Sequence, residues 1–263
     1  MNRLIKEIEK RKTLLRKIIF MIQKDPEEKP EGHLRISKNR FFQVTKESGK
    51  NGYYIRKENM KLVKSLAQKD YDRDVLKYAE AELESLERGF IYTGKTFEDV
   101  YEGLSDIRKK LIRTAYPPDD VFVRIWLDRP YEKFGFKDDS PCYRTGCGVR
   151  VRSKSEWIIA SILEKYNIPY LYEFPVAIDG KSCRPDFTIL KIPERKVIYW
   201  EHMGMLDDIQ YCSDNINKIN KYSEYGIVMG YNLIITMENK DEPLNTSTIE
   251  KIVKTNFLNE EVL

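Results

Sequence analysis

Two carboxylates stand where strand pairing would bring them together: Asp186, directly after Pro185, and Glu201, near the end of the run 196–202. Residues 184–190 and 196–202 alternate as β-strands do, and the short Pro193-Glu194-Arg195 segment between them reads as a turn. An antiparallel pair joined this tightly sets the start of the first strand beside the end of the second, so the two acids become neighbours. Their surroundings are apolar, with Phe187 and Ile189 beside one and Val197, Ile198, Tyr199 and Trp200 beside the other. Carboxylates in such company repel each other and lose hydration, a cost that a proton or a cation must offset. Mg²⁺ or Mn²⁺ prefers hard oxygen ligands and would do this. Either acid alone would be unremarkable; the pair points to metal-assisted chemistry.

The elements around the pair supply further groups. Ser153-Lys154-Ser155-Glu156 opens a helix running to about residue 166, with Ser153 as N-cap and Glu156 at capping-box spacing. Glu156 also shares a helical face with Ile159 and Leu163, so it points toward the core side. Capping explains its residue type, whereas its direction suits a site. A strand over 170–176 leads through Asp179-Gly180 into the strand of Asp186, giving three strands in a meander. Tyr172 and Glu173 on the first strand could line the site, although packing accounts for Tyr172 equally well. A helix over 208–225 follows, carrying Lys218 and Lys221, then a strand over 232–236. A last helix starts near Ser247 with Glu250 again in capping-box register. A right-handed crossover through the long helix would lay the fourth strand parallel to the third.

These residues resemble the PD-(D/E)XK nuclease superfamily, with Glu156 on the first helix, Pro185-Asp186 on the second strand and Glu201 on the third. The closer likeness is to a bacterial and phage group marked by Arg152-Ser153-Lys154-Ser155-Glu156, Arg184-Pro185-Asp186-Phe187 and Trp200-Glu201-His202-Met203-Gly204-Met205. It extends through Lys218, Tyr222, Gly226-Ile227 and Asn232-Leu233-Ile234-Ile235-Thr236. The resemblance implies an α/β, restriction-endonuclease-like core, a mixed four-stranded sheet flanked by helices, over residues 150–263. It also implies a metal-dependent nuclease, most simply a DNA endonuclease, in which Asp186, Glu201 and the carbonyl of His202 hold Mg²⁺ or Mn²⁺. Glu156 would help through water or at a second ion. One position departs from the pattern: the family's lysine two residues after the glutamate is Met203 here. Lys218 on the following helix could replace it, with Lys221 behind. His202 is an alternative as base or donor, although strand alternation turns it away from Glu201. The third possibility is no replacement, in a nucleic-acid-binding module that keeps the fold without the chemistry.

The rest of the chain divides by composition into a basic helix (1–30), a small meander (31–58), a helical region (59–116) and an irregular connector rich in proline and glycine (117–149). In the first helix Ile5, Ile8, Leu15, Ile19 and Ile22 recur at helical spacing, which suits packing on the chain itself or on a second copy as a homodimer. The meander mixes cations (Arg35, Lys38, Arg40, Lys46, Arg56, Lys57) with aromatics (Phe41, Tyr53, Tyr54). Cations hold phosphates and aromatic faces stack bases, so this is a candidate nucleic-acid surface, as are Lys154 and Lys221. A solvated sheet face with its aromatics inside explains the same pattern. Between residues 59 and 116, Leu76, Ala79, Leu83, Leu86 and Phe90 form one helical stripe, and a second helix is expected over 97–112.

A net charge of +4 from 46 basic and 42 acidic residues does not by itself argue for a polyanionic partner. No apolar run approaches the ~20 residues that span a bilayer, so no membrane association and a cytoplasmic location are expected. Four cysteines without a paired spacing, and only His33 and His202, argue against a disulfide framework or a structural zinc.

Overall fold

The computed structural model describes residues 2–25, 29–133, 135–136, 142–192 and 194–258, apart from the side chains of Asn2 and Arg3. The protein is mixed α and β, and divides into two compact units, Met1–Pro118 and Asp119–Leu263. Among the described residues, no helix is long and apolar enough to cross a membrane.

The first unit runs α1 (Asn2–Gln23), β1 (His33–Ser37), β2 (Arg40–Val44), β3 (Tyr53–Ile55), α2 (Met60–Glu87), α3 (Phe97–Glu102) and α4 (Asp106–Lys109). Leu15, Ile18 and Ile22 of α1 are buried against Tyr71, Val75 and Ala79 of α2 and Phe97 and Val100 of α3. The helix thus spends its apolar stripe inside its own unit, while Ile5 at its start is exposed. The three strands form an antiparallel meander, as expected. Leu34 and Ile55 pack on Val63, Leu66 and Ala67 of α2. Two expectations need correction. Phe90 lies beyond the end of α2 and is exposed, so it is no part of the stripe. The single helix expected over 97–112 is two short ones, because Gly103 ends the first and Ser105 starts the second.

The second unit opens with α5 (Asp119–Leu127) and a short hairpin of β4 (Tyr143–Arg144) and β5 (Arg150–Val151); α5 and β4 lie inside the stretch read as irregular, and β5 just beyond it. Then come α6 (Lys154–Lys165), β6 (Tyr170–Tyr172), β7 (Val176–Ile178), β8 (Lys181–Cys183), β9 (Phe187–Lys191) and β10 (Lys196–Met203). The chain continues through α7 (Ile209–Glu224), β11 (Leu233–Met237) and α8 (Thr246–Val253). The central sheet has the order β11-β10-β9-β6. Its β6–β9 and β9–β10 pairs are antiparallel, and β10–β11 is parallel, as the crossover through α7 requires.

Alternation along the strands gives the sheet two apolar faces. Tyr172, Phe187, Ile189, Ile198 and Trp200 face Ile159 and Leu163 of α6 and Ile249 and Val253 of α8. On the opposite face Leu233 packs with Tyr222 of α7, and Leu171 and Leu190 with Trp126 of α5. The strand expected over 170–176 leaves the sheet after Tyr172, where Glu173 takes a φ of 50° and Pro175 has no N–H to donate. Residues 176–183 instead form a separate hairpin, β7–β8, turned at Asp179-Gly180 with φ of 52° and 67°. Two consecutive positive φ values suit the Asp-Gly dipeptide. Finally, α8 is capped by Asn245, whose side chain accepts from Ser247 and Thr248, so Glu250 is not in capping-box position. Glu250 pairs instead with Lys165 and Tyr166.

Candidate active site

The β9–β10 register pairs Phe187 with Trp200, so one step further along Asp186 stands opposite Glu201. Both therefore project from the same face of the sheet, the one covered by α7. The backbone of Asp186 is held on one side by Glu173, whose N–H donates to its carbonyl at 3.0 Å. On the other side its carboxylate Oδ2 accepts the main-chain N–H of His202 at 2.6 Å. Asp186 is half-buried and Glu201 is 4% exposed.

Glu201 is held from α7. The Nζ of Lys218 lies 2.8 Å from both carboxylate oxygens, and the hydroxyl of Tyr222 donates to Oε1 at 2.7 Å. Lys218 and Tyr222 are one helical turn apart, so a single face of α7 delivers both. The third acid, Glu156, comes from the first turn of α6. Its own N–H donates to Ser153 Oγ at 3.1 Å, half of the expected capping box. Its side chain is used elsewhere, accepting from the Tyr172 hydroxyl at 2.6 Å and the Arg152 N–H at 2.9 Å. Arg152 in turn pairs with Glu173.

Burial pushes the Asp186 carboxyl well above the usual carboxylate range, and the charges of Glu201 and Glu156 push it further than the His202 N–H and Lys218 pull it back. Burial also raises Glu201, which Lys218 and Tyr222 offset only in part. For Lys218, burial acts downward but the attraction of Glu201 and Asp186 outweighs it, so its ammonium is held more tightly than usual. Burial and the adjacent carboxylates likewise push up the hydroxyls of Tyr222, beside Glu201, and Tyr172, beside Glu156. Asp186 and Glu201 thus share one lysine, and with the charge of Glu156 acting on both, the pair carries an excess of negative charge when ionised.

A divalent ion suits that excess in part. Asp186 Oδ1 and Glu156 Oε1 accept no hydrogen bond from a described residue, and the buried hydroxyl of Thr188, two residues from Asp186 on the same face, has no partner. These are hard oxygen donors of the kind Mg²⁺ takes. Among the described residues, however, no group of three His, Cys, Asp or Glu side chains gathers closely enough to hold an ion. Glu201 is drawn to Lys218 and Tyr222, and Glu156 to Tyr172, which keeps the acids apart.

The residues singled out from sequence fall into two sets. Asp186, Glu201 and Lys218 come together, with Glu156 close enough for its charge to act on both acids. The imidazole of His202 does not, because it lies on the opposite face of β10, with Nδ1 3.0 Å from Thr236 Oγ1. Its Nε2 is 3.1 Å from Glu238 Oε1 without good hydrogen-bond alignment. His202 serves the cluster through its backbone instead. Lys221 reaches toward the β7–β8 turn, 3.6 Å from Asp179, and Lys154 is exposed at the start of α6. Arg35, Lys38, Arg40, Arg56 and Lys57 lie in the first unit. Sequence reasoning gave Tyr222 no role of its own. The signal was its place four residues after Lys218, on one helical face with it. No family model matches the chain, and neither a curated protein nor a solved structure is significantly similar to it.

Proposed function

We propose that the second unit is a metal-dependent nuclease that hydrolyses phosphodiester bonds, with DNA as the leading substrate, on a PD-(D/E)XK core of the restriction-endonuclease type. The observation that carries this reading is the facing placement of Asp186 and Glu201 across the β9–β10 pair, Glu201 buried and Asp186 half-buried, with Lys218 on Glu201 and the charge of Glu156 acting on both acids. The order of elements and the Trp200-Glu201-His202 block support the same family.

In this reading Asp186 and Glu201 would hold Mg²⁺ or Mn²⁺, helped by Glu156. Such an ion lowers the pKa of bound water and polarises a phosphate. The protein's own groups do the rest. The His202 N–H fixes the orientation of Asp186, and Tyr222 fixes that of Glu201. The Lys218 ammonium would balance negative charge developing on the phosphate, the task left open by Met203. The Tyr172 hydroxyl fixes the orientation of Glu156.

A second reading, a nucleic-acid-binding module without catalysis, is favoured by one observation: Lys218 and Tyr222 already engage both oxygens of Glu201. Incubation with a panel of single- and double-stranded DNA and RNA, with Mg²⁺ or Mn²⁺ and with EDTA, separates the two. The nuclease reading expects metal-dependent cleavage lost in Asp186→Asn and Glu201→Gln. Cleavage by either variant at the wild-type rate would remove the site assignment.

A further inference from the structure

The outward face of the first unit's sheet is built differently from its inward face. The registers place Arg35, Phe42 and Tyr54 in one row across β1, β2 and β3, on the side opposite Leu34, Ile36, Phe41 and Ile55. The inward residues pack on α2, whereas none of Phe42, Val44 and Tyr54 belongs to an apolar cluster. Tyr54 is 54% exposed. Its ring meets Phe42 edge-on at 5.7 Å, and the Arg35 guanidinium lies over the Phe42 ring, 4.4 Å from its centroid. Arg35 is steadied there by donating to the Asn51 carbonyl at 2.6 Å. The result is a braced strip of planar groups with Tyr54 at its open end.

Cations border this strip. Arg40 faces outward in the next row, where the same register continues to Arg56, and Lys38 sits at the β1–β2 turn with a φ of 48°. Lys57 follows Arg56, and all four are exposed. No Asp or Glu occupies an outward position of these three strands. A flat aromatic strip edged by unopposed cations matches one chemistry closely: unpaired bases to stack on the rings and a phosphate chain to follow the cations. A duplex offers its phosphates but hides its base faces. A peptide of acidic residues would use the cations and leave the strip idle.

We propose that the outward face of the β1–β3 sheet binds single-stranded nucleic acid, with Tyr54, braced by Phe42 and Arg35, stacking a base and Lys38, Arg40, Arg56 and Lys57 holding phosphates. This surface lies in a different unit from the acid cluster and does not depend on the nuclease reading. The test is fluorescence anisotropy of the full chain in EDTA with labelled oligothymidylate, the matching single-stranded RNA, and a duplex of equal length. Both single strands are expected to bind more tightly than the duplex, and the relative affinity of DNA and RNA identifies which source of single strand the face prefers. Removing one stacking ring typically costs about 5- to 150-fold in affinity, so Tyr54→Ala is expected to weaken binding within that range and Tyr54→Trp to retain it. Arg40→Glu with Arg56→Glu should flatten the slope of log affinity against log salt by about 1.4, roughly 0.7 for each phosphate no longer held. Because Tyr54, Arg40 and Arg56 are exposed, circular dichroism should be unchanged in these variants. Absence of metal-dependent cleavage by the wild type with this binding retained would sink the nuclease reading alone. Equal or tighter binding of the duplex, or wild-type affinity in Tyr54→Ala, overturns the single-strand proposal.

Discussion

Each unit buries acidic side chains, and the clusters around Arg11 and Lys218 answer the resulting charge in opposite ways. In the first unit Glu82, 6% exposed, and Glu98 converge on Arg11. The guanidinium meets both oxygens of each acid, with Nε and NH2 on Glu82 and NH1 and NH2 on Glu98. Asp70, also buried, accepts the Leu34 N–H and lies near Arg73 and Arg108. Planar forks of this kind occupy carboxylate lone pairs fully and leave no room for another cation. In the second unit Asp186 and Glu201 share one ammonium, and Asp186 and Glu156 each keep an oxygen without a hydrogen bond from a described residue. Arg11 locks α1 onto α2 and α3. Lys218 balances Glu201 without closing the cluster. Full pairing closes the Arg11 cluster, whereas the open oxygens of Asp186 and Glu156 leave a place for something from outside.

That contrast can be broken or sharpened by measurement. The largest expected effect is on chemistry: Asp186→Asn should lower metal-dependent cleavage by roughly a thousandfold or more, since several kcal/mol of barrier lowering go with the ion. Cleavage in Arg11→Met should persist at temperatures where the protein stays folded. Next, Arg11→Met leaves two acids uncompensated and should destabilise by ~2–4 kcal/mol in denaturant unfolding, below the extreme for buried pairs because Glu98 is a third exposed. A cost under about 0.5 kcal/mol would mean that the arginine clamp is no clamp.

Lys218→Met should cost less, ~1–3 kcal/mol, because its side chain is partly exposed and Glu201 can protonate. Added Mg²⁺ should restore part of that loss and none of the loss in Arg11→Met. The sign reverses for Asp186→Asn in metal-free protein. A carboxyl whose folded pKa lies above its unfolded value favours the fold below the unfolded pKa, and that contribution fades as pH rises through the folded pKa. Removing the charge should therefore raise the melting temperature at neutral and higher pH by about 2–4 °C, and leave it nearly unchanged near pH 4. A melting temperature lowered equally at both pH values would show that the Asp186 charge is already satisfied within the chain. The smallest effect belongs to the exposed Arg16–Glu87 pair, where Glu87→Gln should change stability by less than about 0.5 kcal/mol.

Much of the second unit was legible because its signals are local. The helix–meander–helix–strand order follows from periodicity, and the parallel pairing of β10 with β11 follows from the helix between them. The convergence of Asp186 and Glu201 follows from a short turn. What escaped depends on groups that residue type does not advertise. The brace on Asp186 is a main-chain N–H, and any residue at position 202 other than proline would supply that donor. Tyr172 and Tyr222 read as core aromatics, which they are, while their hydroxyls orient acids. The β7–β8 hairpin was hidden by continuous strand-like composition, although Pro175 could have marked the break. In the connector, Pro117-Pro118-Asp119-Asp120 is a serviceable helix start, with prolines and first-turn acids, but the prolines and glycines further along masked it. The two short helices α3 and α4 escaped because an apolar rhythm continues across Gly103 while the backbone does not.

The bond between Lys218 and Glu201 has a further consequence. A side chain that brings its own positive charge is a counter-ion on a tether: it cannot diffuse away, be chelated or be diluted. The strands that carry the acids can therefore pair before any solute arrives, and a chelator should leave the far-ultraviolet spectrum intact. The same tether makes each arriving ion compete with a resident rival for the Glu201 oxygens. Occupancy should then be weak, readily reversible and steeply dependent on the supply of free divalent cation.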